Sequence, residues 1–101
     1  MWLLVLFDLP VMSLAQIRAY SHFRKSLKAV GFQMLQKSVY LMFCGERDHA
    51  DAIRNQVVSL LPPEGSVRIQ TLAPQAMDNM LGFLDGAPTP PLPQPEQSLV
   101  F

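Results

Sequence analysis

One acid stands where a metal-dependent reaction would be built. Asp8 ends the apolar run Trp2-Leu3-Leu4-Val5-Leu6-Phe7, is followed at once by Leu9-Pro10, and is the sole acidic residue among the first 45. A run without alternation reads as a strand buried on both faces, so this carboxylate belongs where an inner strand meets a loop. Hydrolysis of a phosphodiester near neutral pH calls for a metal ion to activate water and to neutralise charge in the transition state. Mg2+ prefers oxygen ligands and keeps several waters, so one or two carboxylates suffice to hold it. The other reading of Asp8 is structural: a cap accepting hydrogen bonds from backbone amides of the turn from Leu9 to Ser13. In a dimer whose two-fold axis passes near both strand ends, two copies of Asp8 would share one site.

Formal net charge is zero over 101 residues, but the two parts of the chain differ. Residues 1–45 carry Arg18, Arg24, Lys25, Lys28 and Lys37 against Asp8 alone, whereas the remainder carries Arg47, Arg54 and Arg68 against seven acids. A polarised chain can offer a basic face to a polyanion at a neutral pI. Arg18, His22 and Lys25 form a stripe on one side of a helical wheel, with Arg24 and Lys28 at its shoulder. That stripe is either an ordinary solvated face or, doubled by dimer symmetry, a track of phosphate contacts that follows a duplex without reading bases. Lys37 and Arg68 would extend the track, and Arg68 has an ion pair with a carboxylate as its other reading. His22 has no evident catalytic partner, and Ser38 has no nearby base to make it a nucleophile.

The length and the 50% hydrophobic content fit one small domain with a single core and modest surface burial. The opening apolar run has no basic residue before it and is far shorter than a membrane span. It also ends at Asp8 and Pro10 without a small-residue cleavage pattern, so it reads as part of the fold. The lone cysteine, Cys44, has no disulfide partner and no zinc-ligand spacing around it, which points to a reducing cytoplasm and a packing role.

The elements that must position Asp8 follow from local pattern. Ser13-x-x-Gln16 is a capping box and Gly31 a C-terminal stop, so a first helix is expected from about Leu14 to Val30. Its apolar face would be Ile17, Tyr20, Phe23, Leu27 and Val30. Phe32 to Gln36 and Ser38 to Cys44 are β-favouring runs separated by Lys37, read as a tight hairpin or one long bent strand. A second helix should cover about Arg47 to Leu61, with Ala50, Ile53, Val57 and Leu60 inward and Pro62-Pro63 ending it. Val67, Ile69 and Thr71 alternate with Arg68, Gln70 and Leu72, which marks a last strand covered on one face.

The order β-α-β-β-α-β is the α+β, ferredoxin-like sandwich, with two helices on one face of a four-stranded antiparallel sheet. The other sheet face has no cover of its own in this arrangement, so it is expected to be buried in a symmetric homodimer. Residues 74–81 read as a short helix, and five prolines from Pro88 to Pro95 then favour an extended spacer. Ser98-Leu99-Val100-Phe101 resumes β-type composition, so Leu99, Val100 and Phe101 are the candidate partner-binding residues, adding an edge strand to a neighbouring sheet. The chain thus divides into a ferredoxin-like domain over residues 1–84 and a proline-rich tail with a short extra strand over residues 85–101.

Five segments in this order carry a resemblance. They are Leu4-Val5-Leu6-Phe7-Asp8-Leu9-Pro10, Phe23-Arg24-Lys25-x-Leu27, Gly31-Phe32-x-Met34-Leu35-Gln36-x-Ser38-Val39-Tyr40, Gly65-Ser66-Val67-Arg68-Ile69 and the terminal Gln97-Ser98-Leu99-Val100-Phe101. Together they resemble CRISPR-associated protein 2, the small adaptation subunit, in the form found with type II systems, over nearly the whole chain. The resemblance implies a ferredoxin-like homodimer that joins CRISPR-associated protein 1, the integrase, in capturing spacer DNA. It also implies an Mg2+-dependent endonuclease acting on RNA or DNA, with Asp8 as catalytic residue and metal ligand. It places Ser38 close to the acid, where it helps position water or phosphate. The acidic, proline-rich stretch after the last strand has no basic residue beyond Arg68, so the tail is expected to touch protein rather than nucleic acid.

Two readings remain beside the nuclease. A purely structural adaptor of the integrase complex would need no chemistry at Asp8. A small-molecule-binding regulatory domain of the same fold would need a glycine-rich ligand loop, and the five glycines here are nowhere adjacent.

Overall fold

The apolar run at the start of the chain becomes the inner strand of a sheet. In the computed structural model, which describes residues 1–93, β1 (Trp2–Asp8) is followed by α1 (Leu14–Val30), β2 (Gln33–Gln36), β3 (Val39–Phe43), α2 (Arg47–Val58) and β4 (Ser66–Leu72). A short α3 (Pro74–Asp78) and a ribbon of β5 (Phe83–Leu84) and β6 (Ala87–Pro88) complete the described chain. The main sheet has the order β2-β3-β1-β4 with antiparallel neighbours, so β1 lies inside it and both its edges are paired. This is the ferredoxin-like arrangement.

Register sorts the side chains of β1 between two environments. Leu3 sits opposite Met42 and Thr71, Val5 opposite Tyr40 and Ile69, and Phe7 opposite Val67. Because side chains alternate with a period of two, these residues share one face. They form the main core with Phe23 and Leu27 of α1 and with Ala50, Ile53 and Val57 of α2. Phe7 is its hub, meeting Phe23 edge-on at 5.1 Å and stacking on Tyr40 at 5.7 Å. Cys44 is buried in the same cluster, and burial pushes its thiol above the usual range.

Helix α1 begins with both halves of the capping box. Ser13 Oγ accepts from the Gln16 amide at 3.1 Å, and Gln16 Oε1 accepts from the Ser13 and Met12 amides at 3.1 and 2.8 Å. It ends at Gly31, whose φ of 128° lies where a side chain is disfavoured and whose amide donates to the Leu27 and Lys28 carbonyls. Ile17 departs from the expected inward face and is 47% exposed, because Phe23 and Leu27 make the buried contact and the helix start extends past the packed region. Helix α2 stops at Val58 rather than Leu61. The Ser59 hydroxyl donates to the Gln56 carbonyl at 2.6 Å and the Leu60 amide to Val57, so the last residues close as tight turns before the prolines.

The second sheet face differs from the expectation that it lacks any cover of its own. Trp2 and Leu41 pack with Met77 of α3, and Leu4, Phe43, Leu72, Met80 and Leu92 close around them. Pro74 starts α3 immediately after β4, which turns the chain back over the beginning of β1 and buries Met77 completely. The β5–β6 ribbon was also not expected. It turns through Asp85 and Gly86, both at positive φ (52° and 82°), which is the Asp-Gly hairpin signal, and it straddles position 84/85. The terminal strand expected at residues 98–101, with Leu99, Val100 and Phe101, lies outside the described residues.

Replacing Ser13 with Ala should remove one arm of the capping box and lower unfolding stability by about 1 kcal/mol. A urea titration followed by circular dichroism would read this as a lower midpoint at unchanged slope.

Candidate nucleic-acid and metal site

The uncovered half of the second sheet face carries Asp8. Leu4, Leu6 and Asp8 point away from the helices, and the register places Arg68 of β4 and Val39 of β3 beside Leu6 and places Ser66 beside Asp8. Leu6 and Val39 floor an open groove of about 280 Å³ whose rim is Asp8, Lys37, Ser38, Ser66 and Arg68. Four of these, Asp8, Lys37, Ser66 and Arg68, are exposed, and Ser38 is partly buried. Local physics explains the placement: an apolar strand flanked on both sides presents its terminal carboxylate at the end of the strand, where water reaches it.

The Asp8 side chain makes no hydrogen bond or ion pair among the described residues, so the capping reading finds no bond to carry it. The amides of Met12 and Ser13, the natural targets of such a cap, are taken by Gln16 Oε1. Nor does Arg68 or Lys37 close on Asp8: the ion pair found among the described residues is Arg54 with Asp51 at 3.1 Å on α2. A carboxylate and two cations therefore face one groove without neutralising each other.

Two backbone features hold this geometry. Ser38 turns the β2–β3 hairpin at φ 62°, uncommon for a residue with a side chain, and its carbonyl accepts from the Phe7 amide at 3.0 Å. That bond fixes the Lys37–Ser38 turn against the end of β1. On the other side Gly65, at φ 94°, lets the chain pass Asp8 and Leu9 closely: an added Cβ would lie 2.8 Å from the Asp8 carbonyl and 2.7 Å from Leu9 Cδ2. Ser66 and Gly65 were not singled out for the site from sequence. Gly65-Ser66 just before an alternating strand was a signal, but only the β1–β4 register sets Ser66 opposite Asp8.

The basic residues of α1 are not brought to this groove. Arg18, Lys25 and Lys28 are exposed on a helix that packs against the opposite sheet face, and Lys28 also lies in the last turn, where it complements the helix dipole. Arg24 is half-buried, with Nε buried and making no hydrogen bond. The structure thus joins Lys37, Ser38 and Arg68 to Asp8 and sets the α1 cations apart from them.

As a metal site the groove is sparse. Among the described residues no three of His, Cys, Asp and Glu cluster, so one chain offers a single carboxylate with the Ser38 and Ser66 hydroxyls nearby. That set fits a largely hydrated Mg2+ held weakly and does not fit a closed protein cage.

Residues 1–80 match the profile of the family described as CRISPR associated protein Cas2. The chain belongs to the Cas2 family. It is 38% identical over 101 residues to the CRISPR-associated endoribonuclease Cas2 of Paracidovorax avenae, covering 100% of this chain and 94% of that protein. It is 30% identical to the namesake from Parvibaculum lavamentivorans, with both chains covered completely (100%). With that of Acidovorax ebreus it shares 41% over 80 residues, 79% of this chain and 78% of the relative. The crystal structure of Streptococcus pyogenes Cas2 at pH 6.5 aligns with TM-score 0.57 and 22% identity over 81% of this chain and 100% of that one, a likeness of fold. No helix among the described residues is long and apolar enough to cross a membrane.

Gly65→Ala should destabilise this Cas2-family chain by more than about 1 kcal/mol, since both the positive φ and the close approach to Asp8 and Leu9 oppose a methyl group. Thermal unfolding would measure the loss, and amide exchange at residues 8–9 should rise more than in the helices.

Proposed function

We propose that this chain is a CRISPR adaptation protein that dimerises through its open sheet face, joins the integrase in capturing and integrating spacer DNA in the cytoplasm, and carries an Mg2+-dependent endonuclease activity on RNA or DNA. The observation that supports it most is the unpaired Asp8 carboxylate facing an open groove with Arg68 and Lys37. The names of its relatives, endoribonucleases of CRISPR systems, agree with that chemistry.

The residues divide the work by their chemistry. Asp8 would hold the ion, with its counterpart in a second copy supplying another carboxylate and the hydroxyls of Ser38 and Ser66 orienting its waters. When bound, Mg2+ supplies Lewis acidity and a water of lowered pKa. Arg68 and Lys37 bind the phosphate at the groove, Arg68 with its planar fork and Lys37 as a point charge. Leu6 and Val39 give the groove an apolar floor. Arg18, Lys25 and Lys28 follow a duplex backbone along the far side of each protomer, Arg24 extends that set in the simplest reading, and such contacts weaken steeply with salt.

A second reading, a non-catalytic adaptor, is favoured by the sparse ligand set, one carboxylate per chain. The two readings separate experimentally. Asp8→Asn should abolish Mg2+-dependent cleavage of labelled single-stranded RNA or duplex DNA while leaving the sedimentation of the dimer unchanged; equal cleavage by wild type and variant would refute the nuclease. The adaptor reading expects Asp8→Asn to keep spacer integration and expects removal of residues 97–101, with Leu99, Val100 and Phe101, to abolish it.

A further inference from the structure

Beneath the Asp8 groove, on the helix side of the sheet, lies a polar cluster to which the proposed reaction assigns no role. Tyr40 is 0% exposed, yet its hydroxyl oxygen is buried without a hydrogen bond, and so is Nε of Arg24. Buried polar atoms are nearly always partnered, because one left unpaired loses its hydration without compensation. Two such atoms in one small domain call for an explanation. The Arg24 guanidinium lies 6.0 Å from the centre of the Tyr20 ring, within reach of a cation–π attraction. Tyr20 and Tyr40 both contact Phe7, at 5.9 and 5.7 Å between ring centres. The Tyr20 hydroxyl is 3.4 Å from Ser38 Oγ.

Each contact leads to the groove. Phe7 precedes Asp8 in β1, and its amide donates to the Ser38 carbonyl. Ser38 is the positive-φ residue whose conformation sets where Lys37 stands, and both line the groove. Arg24 is thus linked through Tyr20 to Ser38, and through the two tyrosines and Phe7 to the end of the strand that carries Asp8. Nε of this guanidinium is withdrawn from water, where a helix-borne arginine serving phosphate alone would leave it free.

We propose that Arg24 is a positioning residue for the Asp8 groove, holding Tyr20 over the Lys37–Ser38 turn and Tyr40 against Phe7 from the opposite side of the sheet, and is not itself a nucleic-acid contact. This rests on the cleavage proposed at Asp8, and it modifies that reading in one respect: the phosphate track on α1 is Arg18, Lys25 and Lys28.

Tyr20 and Tyr40 are the two tyrosines of the chain, which makes the cluster directly observable. Burial raises the Tyr40 phenol above its ordinary value of 10.0, Arg24 pulls it back and Tyr20 adds to the rise. In the full-length protein carrying Tyr20→Phe, Tyr40 is the one remaining phenol, and its ultraviolet titration should move to higher pH when Arg24→Met is added. Arg24→Lys keeps a cation near Tyr40 and loses the planar group over Tyr20, so it should titrate close to the parent. In Mg2+-dependent cleavage of labelled single-stranded RNA, Arg24→Met and Arg24→Lys should each lower kcat by ~10-fold or more at nearly constant KM, the signature of a displaced groove. Tyr20→Phe alone should lower kcat roughly fivefold, about one neutral hydrogen bond.

An unmoved phenol titration, a higher KM at constant kcat, or full turnover in Arg24→Lys would each overturn the proposal. Should wild type and Asp8→Asn cleave equally, the nuclease reading fails by itself, and the phenol titration still decides whether Arg24 is engaged with the tyrosines. Circular dichroism melts confirm that each variant is folded before it is scored.

Discussion

The placement of β1 between β3 and β4 is the constraint on which the rest of the structure depends. Two antiparallel ladders fix its register, and with a side-chain period of two that register decides every environment at once. Leu3, Val5 and Phe7 go to the helices and Leu4, Leu6 and Asp8 to the opposite face. A slip by one residue would bury the carboxylate among Phe23, Leu27 and Val57 and expose the core. The strong penalty on a buried unpaired charge therefore defends the position of the candidate site as firmly as hydrophobic burial defends the core.

The second sheet face shows how one surface is divided between folding and function. Half of it is closed within the chain by Met77, Met80 and Leu92 over Trp2 and Leu41. The other half, with Leu6 and Val39 on the floor and Asp8, Arg68 and Lys37 around the rim, stays accessible. A partly apolar, partly charged surface suits association with a second copy and contact with a polyanion together, because the floor gains from burial while the rim retains charge for phosphate. The exposed cations of α1 lie across the sheet from that rim, which gives the chain two basic surfaces separated by its own core. One lines the groove and the other lies on the helix side.

The polar atoms beneath the groove complete this division. Phe7 belongs to the core by burial and to the site by its amide bond to Ser38, so packing around it is transmitted directly to the turn that carries Lys37. Tyr20 and Tyr40 meet the same ring, and Arg24 lies over Tyr20. Groups of this kind cost stability where they lie, and rigid aromatic contacts keep them there. Gly65 acts from the other flank, where the absence of a side chain allows β4 to start hard against Asp8 and Leu9.

Sequence by itself determined the order of the six principal elements, the bounds of α1 to the residue, the start of α2, and the position of Asp8 at the end of an inner strand. These follow from local causes: capping-box spacing at Ser13 and Gln16, glycine at the helix end, prolines beyond α2, and alternation in β4. It also placed the five motifs that resemble the Cas2 family. Apart from Ser38, which the family resemblance set close to the acid, tertiary structure decided which residues stand near Asp8. Ser66 reaches it only through strand register, α3 covers Trp2 only because the chain turns at Pro74, and Ile17 is left out because the packed length of α1 is shorter than its apolar stripe. Arg24 reads as one more cation beside a polar stripe until its guanidinium is found over the Tyr20 ring with Nε buried. Periodicity reports which face a residue takes along its own element, whereas what that face meets is set by contacts between residues far apart in the chain, and no local pattern encodes them.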